Sequence, residues 1–159
     1  MKKLLLILIA LPMIGCMDTA EEYYKKAHDL GYEDEQYQLS IDNYTKCLRV
    51  DPDYLHTSLA YSSRGYMYHK LGNYKEAITD YTRAIEVNTE NDIAFLGRGR
   101  VHSELGEYKL ALADYTRAIS LDPEKIDGYT SRALVHYELG NYRAFASDSR
   151  KVKEILNSY

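Results

Sequence analysis

The hexapeptide DYTRAI stands at Asp80–Ile85 and again at Asp114–Ile119, 34 residues further on. Aligned on it, the chain divides into blocks 21–54, 58–91, 92–125 and 126–159, with Leu55, His56 and Thr57 inserted between the first two. A unit of this length cannot bury a core alone, so each block must stack on its neighbours. That period excludes a single globular core and calls for an elongated array of like units.

The columns of the alignment give the unit its form. Tyr61, Gly65 and Tyr68 recur as Phe95, Gly99 and His102, and again as Tyr129, Ala133 and His136. Offsets of four, three and seven residues mark one face of a helix, with a small residue where another helix comes close. Leu71-Gly72-Asn73-Tyr74, Leu105-Gly106-Glu107-Tyr108 and Leu139-Gly140-Asn141-Tyr142 then place glycine just past the last apolar residue, where a helix ends in left-handed backbone. A second apolar stripe follows: Tyr74, Ala77, Ile78, Tyr81, Ala84 and Ile85. Asp51-Pro52 and Asp122-Pro123 close the first and third blocks. Each block therefore reads as two antiparallel helices, and the fold expected is an all-α solenoid of four such pairs over residues 20–159.

These columns resemble the tetratricopeptide repeat (TPR) family, in which the period is also 34 residues. The likeness spans nearly all of the chain after Cys16. The first block departs from it, with Gly31 in the turn region, His28 in the small column and Asp34-Glu35 in place of Leu-Gly. In the last block Phe145 and Ser149 replace alanine and tyrosine, as suits a terminal repeat facing solvent. The resemblance implies that the first helices of the pairs line a concave groove for a peptide or helix. Carried over column by column, that groove contains Lys25, Leu59, Ser62, Tyr66, His69, Ile93, Leu96, Arg100, Thr130, Leu134 and Tyr137. Leu59 and Ile93 have an equal claim to packing between repeats. The lysine–asparagine clamp that one TPR subclass turns on chaperone tails is absent, since Lys25 is followed in its positions by Asp29, Ser63, Ile93 and Gly97.

One pair of columns departs from the family's apolar pattern. Arg64, Arg98 and Arg132 recur, and Asp80, Asp114 and Asp148 recur sixteen residues later. In the first block both columns are lost together, to Ala27 and Asn43. Joint loss points to bidentate ion pairs across each helical hairpin, Arg64–Asp80, Arg98–Asp114 and Arg132–Asp148.

The first residues, MKKLLLILIALPMIGC, are different in kind. Two lysines, an apolar run from Leu4 to Leu11, Pro12, Gly15 and a cysteine have the order of a secretory signal, and the run is far short of the roughly 20 residues that span a bilayer. A plain signal peptide or a short anchor is one reading. The segment also resembles a bacterial lipoprotein signal, with Ile14, Gly15 and Cys16 in the cleavage box and Met13 in place of its usual leucine. That resemblance implies a signal over 1–15, a palmitate-bearing lipid on Cys16, and a tether over 16–19. It also implies a place on the periplasmic face of the envelope, with Met17 favouring the outer membrane over the inner.

The search for chemistry yields little. His28, His56, His69, His102 and His136 form no HExxH pattern, and His102 and His136 share the column of Tyr68 as packing residues. Cys47 lies on an apolar face and reads as an inert buried thiol. No phosphate loop or nucleophile motif occurs, so neither an enzyme nor a cofactor or metal is expected. The net charge of −4 becomes −6 without Lys2 and Lys3, which disfavours nucleic acid as a partner. Tyrosine supplies 17 of the 19 aromatics, so most large core residues carry a hydroxyl that must reach water or a partner. The expected function is an envelope-anchored interaction scaffold, holding a membrane-associated protein partner in its groove and serving assembly of an envelope machine. The alternative is self-association through the last pair, by way of Phe145, Val152, Ile155 and Leu156.

Overall fold

The computed structural model describes residues 19–32, 36–53 and 55–158. The segment 1–15, Cys16 and Asp34-Glu35 lie outside the described residues. Those described form eight helices and no strand: α1 (Ala20–Tyr32), α2 (Tyr37–Val50), α3 (Thr57–Lys70), α4 (Tyr74–Val87), α5 (Asp92–Glu104), α6 (Tyr108–Leu121), α7 (Ile126–Glu138) and α8 (Tyr142–Leu156). Each odd helix packs on the even helix after it, and each even helix packs on the odd helix of the next pair. The molecule is the all-α solenoid that its period requires.

Local chemistry sets the element ends. Thr19 and Glu22 form a capping box that starts α1: Thr19 Oγ1 accepts from Glu22 N at 3.2 Å, and Glu22 Oε2 accepts from Thr19 N at 2.6 Å. Gly72, Gly106 and Gly140 adopt φ of 76°, 74° and 71°. At each, two crossed bonds close the helix: Asn73 N donates to Tyr68 O and Gly72 N to His69 O, and the same pattern recurs at Gly106-Glu107 and Gly140-Asn141. Between pairs, Asp51, Asn88 and Asp122 each accept through Oδ1 from the amide two residues on, which turns the chain into the next helix. The first pair corrects the sequence reading. Gly31 belongs to α1 rather than to a turn, and it is buried where an added Cβ would meet Met67 and Ser40. There Ser40 Oγ donates to Ala27 O at 2.6 Å, a direct tie between α1 and α2 at the place where later pairs carry arginine.

The guanidinium forks dominate the other three pairs. Arg64 Nε and Nη2 donate to Asp80 at 2.7 Å each, Arg98 to Asp114 at 2.9 and 2.8 Å, and Arg132 to Asp148 at 2.9 and 2.7 Å. The remaining terminal nitrogen reaches back one repeat. Nη1 donates to Thr45 Oγ1 at 2.9 Å from Arg64, to Thr82 Oγ1 at 3.1 Å from Arg98, and to Thr116 Oγ1 at 3.0 Å from Arg132. Tyr61, Phe95 and Tyr129 lie under these guanidinium groups at 5.6, 5.7 and 5.9 Å.

The repeated tripeptide thereby acquires a directional meaning. Aspartate serves its own pair, threonine serves the next, and tyrosine packs against the glycine of its own pair while reaching on to the next. Thus the first pair reads Asn43-Tyr44-Thr45, having lost only the backward-acting residue, and the last reads Asp148-Ser149-Arg150, having lost only the two forward-acting ones. Ala146, Ser149, Arg150 and Lys153, which occupy the forward columns of α8, are all exposed. This corrects the apolar patch expected on the last pair. Ile155 is buried, Phe145 and Val152 are half-buried, and of the four only Leu156 is exposed.

Removing Arg98 strands Asp114, which is 7% exposed and takes both of its guanidinium bonds from that one side chain, so Arg98→Ala should destabilise the chain by about 3 kcal/mol. Thr82→Val, which removes only the inter-repeat hydrogen bond, should cost about 1 kcal/mol. Urea midpoints of the two variants check the order. Gly106→Ala, at a site with open space but left-handed backbone, should cost about 1 kcal/mol in the same assay.

Candidate functional site

The odd helices also approach one another, α1 with α3, α3 with α5 and α5 with α7, while no two even helices do. The stack therefore curves with its odd helices inside. A cleft of about 430 Å³ opens on that inner face and draws on all four of them, with Tyr24 and Tyr32 from α1, Tyr66 from α3, Arg100 from α5 and Asp127 from α7. A second of about 480 Å³ shares Tyr66, Tyr81, Gly97 and Arg100 with it and extends to His69 and Glu104.

Of the residues assigned to the groove by column, Leu59, Ser62, Tyr66, Ile93, Leu96 and Arg100 line the first cavity, and His69 lines the second. They are not equivalent. Leu59 and Ile93 are 36% and 48% exposed, and so present apolar surface to the groove. Leu96 belongs to the core around Tyr115 and Val135. Ser62 is buried and accepts from Asn91 Nδ2 at 2.9 Å, so it holds the joint between two repeats. Lys25 lines a separate cleft with Glu21, Asp29 and His56. Thr130, Leu134 and Tyr137 are exposed on α7 but line neither of the two main cavities.

Column reasoning missed Tyr24, His28, Ser63, Tyr81, Gly97 and Lys125. Tyr81 is the instructive case, because it comes from an even helix and passes between α3 and α5 to the inner face. Gly97 makes this possible: a Cβ there would sit 2.3 Å from Tyr81 Cζ. Its column otherwise holds Lys26, Ser63 and Ser131, and that lone glycine was the available signal.

Polar groups in the cleft are partly paired. His69 Nε2 and Glu104 Oε1 lie 2.9 Å apart across two repeats, and Lys125 Nζ donates to Asp92 Oδ2 at 2.7 Å. Arg100 has a looser arrangement, with Nη2 3.6 Å from Asp127 Oδ2 and the two side chains 43% and 57% exposed. The rings of Tyr32 and Tyr66 stack with centroids 5.3 Å apart and planes 2° apart. Burial pushes the Tyr115 hydroxyl up to about 12 against the opposing pull of nearby Arg100, and it raises Tyr81 further in the same way. These phenols are hydrogen-bond donors throughout the physiological range. Burial also pushes the Cys47 thiol up to about 11, as fits a packing residue. Among the described residues no three His, Cys, Asp or Glu side chains gather to hold a metal. His102 Nδ1 instead lies 2.6 Å from Glu107 Oε2 at its own helix end, away from His69 and its partner Glu104.

Comparison with known proteins agrees with this geometry. The tetratricopeptide repeat model matches residues 58–91, and a TPR repeat model matches residues 99–140. The chain is a tetratricopeptide-repeat protein. Among solved structures, this TPR chain superposes on MamA with a TM-score of 0.80 at 23% identity, covering 89% of this chain and 80% of that one. PilW, described as a widely conserved type IV pilus biogenesis factor, gives 0.78 at 20%, over 86% and 62% of the two chains. The first TPR of Spaghetti (RPAP3), bound to the HSP90 peptide SRMEEVD, gives 0.71 at 22%, over 79% and 99%. At these identities the likeness is one of fold. No curated protein matches the chain in sequence.

Substituting Gly97→Ala in this TPR chain forces a methyl group into the Tyr81 ring, so the ring must leave its slot. A loss of about 2 kcal/mol in urea unfolding is expected, together with a changed near-ultraviolet tyrosine signal. Gly72→Ala, where nothing lies within 4 Å, should leave that signal intact.

Proposed function

We propose that this protein is a lipid-anchored interaction scaffold of the bacterial envelope, and that it holds a segment of a membrane-associated partner in the cleft formed by α1, α3, α5 and α7. The observation that carries the reading is the continuity of that cleft across all four odd helices, with exposed Tyr32, Leu59 and Ile93 in a wall that also presents the polar His28, Arg100, Lys125 and Asp127. Apolar and aromatic anchors ringed by polar groups have the composition of an interface. The RPAP3 repeat, of the same fold, holds a peptide, but here Asp29, Ser63, Ile93 and Gly97 supply no clamp for an anionic chain terminus. The partner is accordingly of another class.

Anchoring rests on the order of charged, apolar and small residues before Cys16. The capping box at Thr19 leaves only Met17, Asp18 and Thr19 between Cys16 and α1. A linker of that length reaches at most about 14 Å, so a lipid on Cys16 would hold the first repeat against the bilayer and concentrate partners in the same membrane. The outer membrane is the proposed site, and assembly of an envelope machine the proposed setting. Self-association through the last pair is disfavoured by the exposed Arg150 and Lys153 on its forward face.

A photo-crosslinking side chain placed at Tyr66 or Ile93 in native membranes should capture one and the same protein. The same probe at Arg83, 62% exposed on the outer face, should not. Cys16→Ser should abolish the capture by releasing the scaffold from the membrane. Capture at Arg83 alone would refute the groove, and undiminished capture by Cys16→Ser would refute the anchor.

A further inference from the structure

We propose that the cleft floor at Gly97 is a subsite for an acidic residue, in which the Tyr81 hydroxyl and the Arg100 guanidinium together receive the side-chain carboxylate of an aspartate or glutamate in the partner segment. This inference rests on the groove reading above and names the chemistry of its occupant.

The first observation is Tyr81 itself. It is 2% exposed, lines both main cavities, and rests its ring and hydroxyl against the backbone of Gly97, where an added Cβ would lie 2.7 Å from the oxygen. The hydroxyl has no hydrogen-bond partner among the described residues. Tyr115, in the same column, has the serine hydroxyls of Ser103 and Ser131 near it, but Gly97, standing where the next block has Ser131, offers Tyr81 none. A buried phenol that opens only onto a cavity is a donor waiting for an acceptor.

The second observation is Arg100, which stands one helical turn beyond Gly97 and also lines both cavities. Its nearest carboxylate, Asp127, is 3.6 Å away, beyond hydrogen-bond distance, and both side chains face solvent. This contrasts with Arg64, Arg98 and Arg132, each of which makes three short bonds. Arg100 thus keeps its planar fork available, and a carboxylate is the acceptor that such a fork fits. Local charge agrees: Lys70, Arg100 and Lys125 line the two cavities against Glu104 and Asp127, whereas the chain after Cys16 is acidic overall.

The geometry also selects a side chain over a chain terminus. Cavities flank Gly97 on both sides, so a segment whose carboxylate sits at the floor can continue in each direction. One direction leads along Leu59, Ile93 and the stacked Tyr32 and Tyr66, where an apolar neighbour of the acidic residue would lie. A terminus would leave one of the cavities empty.

The test is selection of a random peptide library against the full-length chain, followed by affinity measurement on the best peptide and on its Glu→Gln or Asp→Asn counterpart. An acidic residue should be enriched beside an apolar one, and its amide counterpart should bind the wild type at least about tenfold more weakly. In Arg100→Gln and in Tyr81→Phe, which keeps the ring, the difference between acid and amide should shrink to within about threefold, a coupling that general destabilisation does not produce. Peptides selected without an acidic position would overturn the subsite while leaving the groove reading intact. So would an acid-to-amide loss equal in all three proteins, or affinity lost only on amidating the peptide's terminus. Failure to select any peptide displaced by Tyr66→Ala or Ile93→Asp would overturn both readings.

Discussion

The solenoid depends on one joint, repeated three times: an arginine on an odd helix that grips an aspartate on its own even helix and a threonine on the even helix before it. A TPR pair has a thin core. Here the buried residues between pairs are largely alanine and glycine, with tyrosine as the large filler. Apolar packing of that kind is non-directional and leaves the angle between repeats weakly defined. The guanidinium supplies the missing constraint, because its donors are coplanar and fixed in direction, and three helices must arrive together to satisfy them. Each joint sets a pair against its predecessor, and so sets the curvature that gathers the odd helices around a cleft.

A joint of this kind is a costly way to gain stability and an effective way to gain geometry. Leucine in the arginine column would avoid the desolvation of two charges, and replacing buried pairs with apolar residues is often neutral or stabilising. What leucine would lose is the requirement that Arg98 be satisfied by Asp114 and Thr82 at once. The first pair supports this view. At Ala27 the arginine is gone together with the aspartate of its pair, which is Asn43, whereas Arg98 and Arg132 keep both their aspartate and their threonine. Each side chain persists only where its partner does.

Much of this was legible from the sequence, because repetition turns one chain into an internal comparison. The helices, their antiparallel pairing and the stacking followed from period and column, and the simultaneous loss at Ala27 and Asn43 gave a reason to connect arginine with aspartate. The threonine contact was harder to see. Thr45 persists in a block that has no arginine of its own, since its partner Arg64 lies in the next block, and columns compared within a block do not show a bond made across blocks. The groove was legible in outline and incomplete in detail. Positions were assigned from helix faces as though each odd helix were alone, so the part that Leu96 and Ser62, both in the cleft lining, also take in the packing between repeats was not read, and Tyr81 on an even helix was passed over. Gly31 was placed in a turn because glycine usually serves there, whereas in this pair it makes room for Met67.

The same tripeptide writes both the joint and the floor of the cleft. Thr82 accepts from Arg98 while its neighbour Tyr81 lies against Gly97, so two consecutive residues of α4 meet two consecutive residues of α5. A shift in the angle between these repeats would move the threonine from its donor and the phenol from its slot together. Binding chemistry at the cleft floor is thus tied to the packing of the second repeat on the third. A partner that draws both Tyr81 and Arg100 into hydrogen bonds would bridge that joint, because the two groups stand on opposite sides of it, on α4 and α5. A scaffold built this way gains rigidity at its centre on binding while its first repeat, joined without an arginine of its own, stays governed by the weaker tie from Ser40 to Ala27.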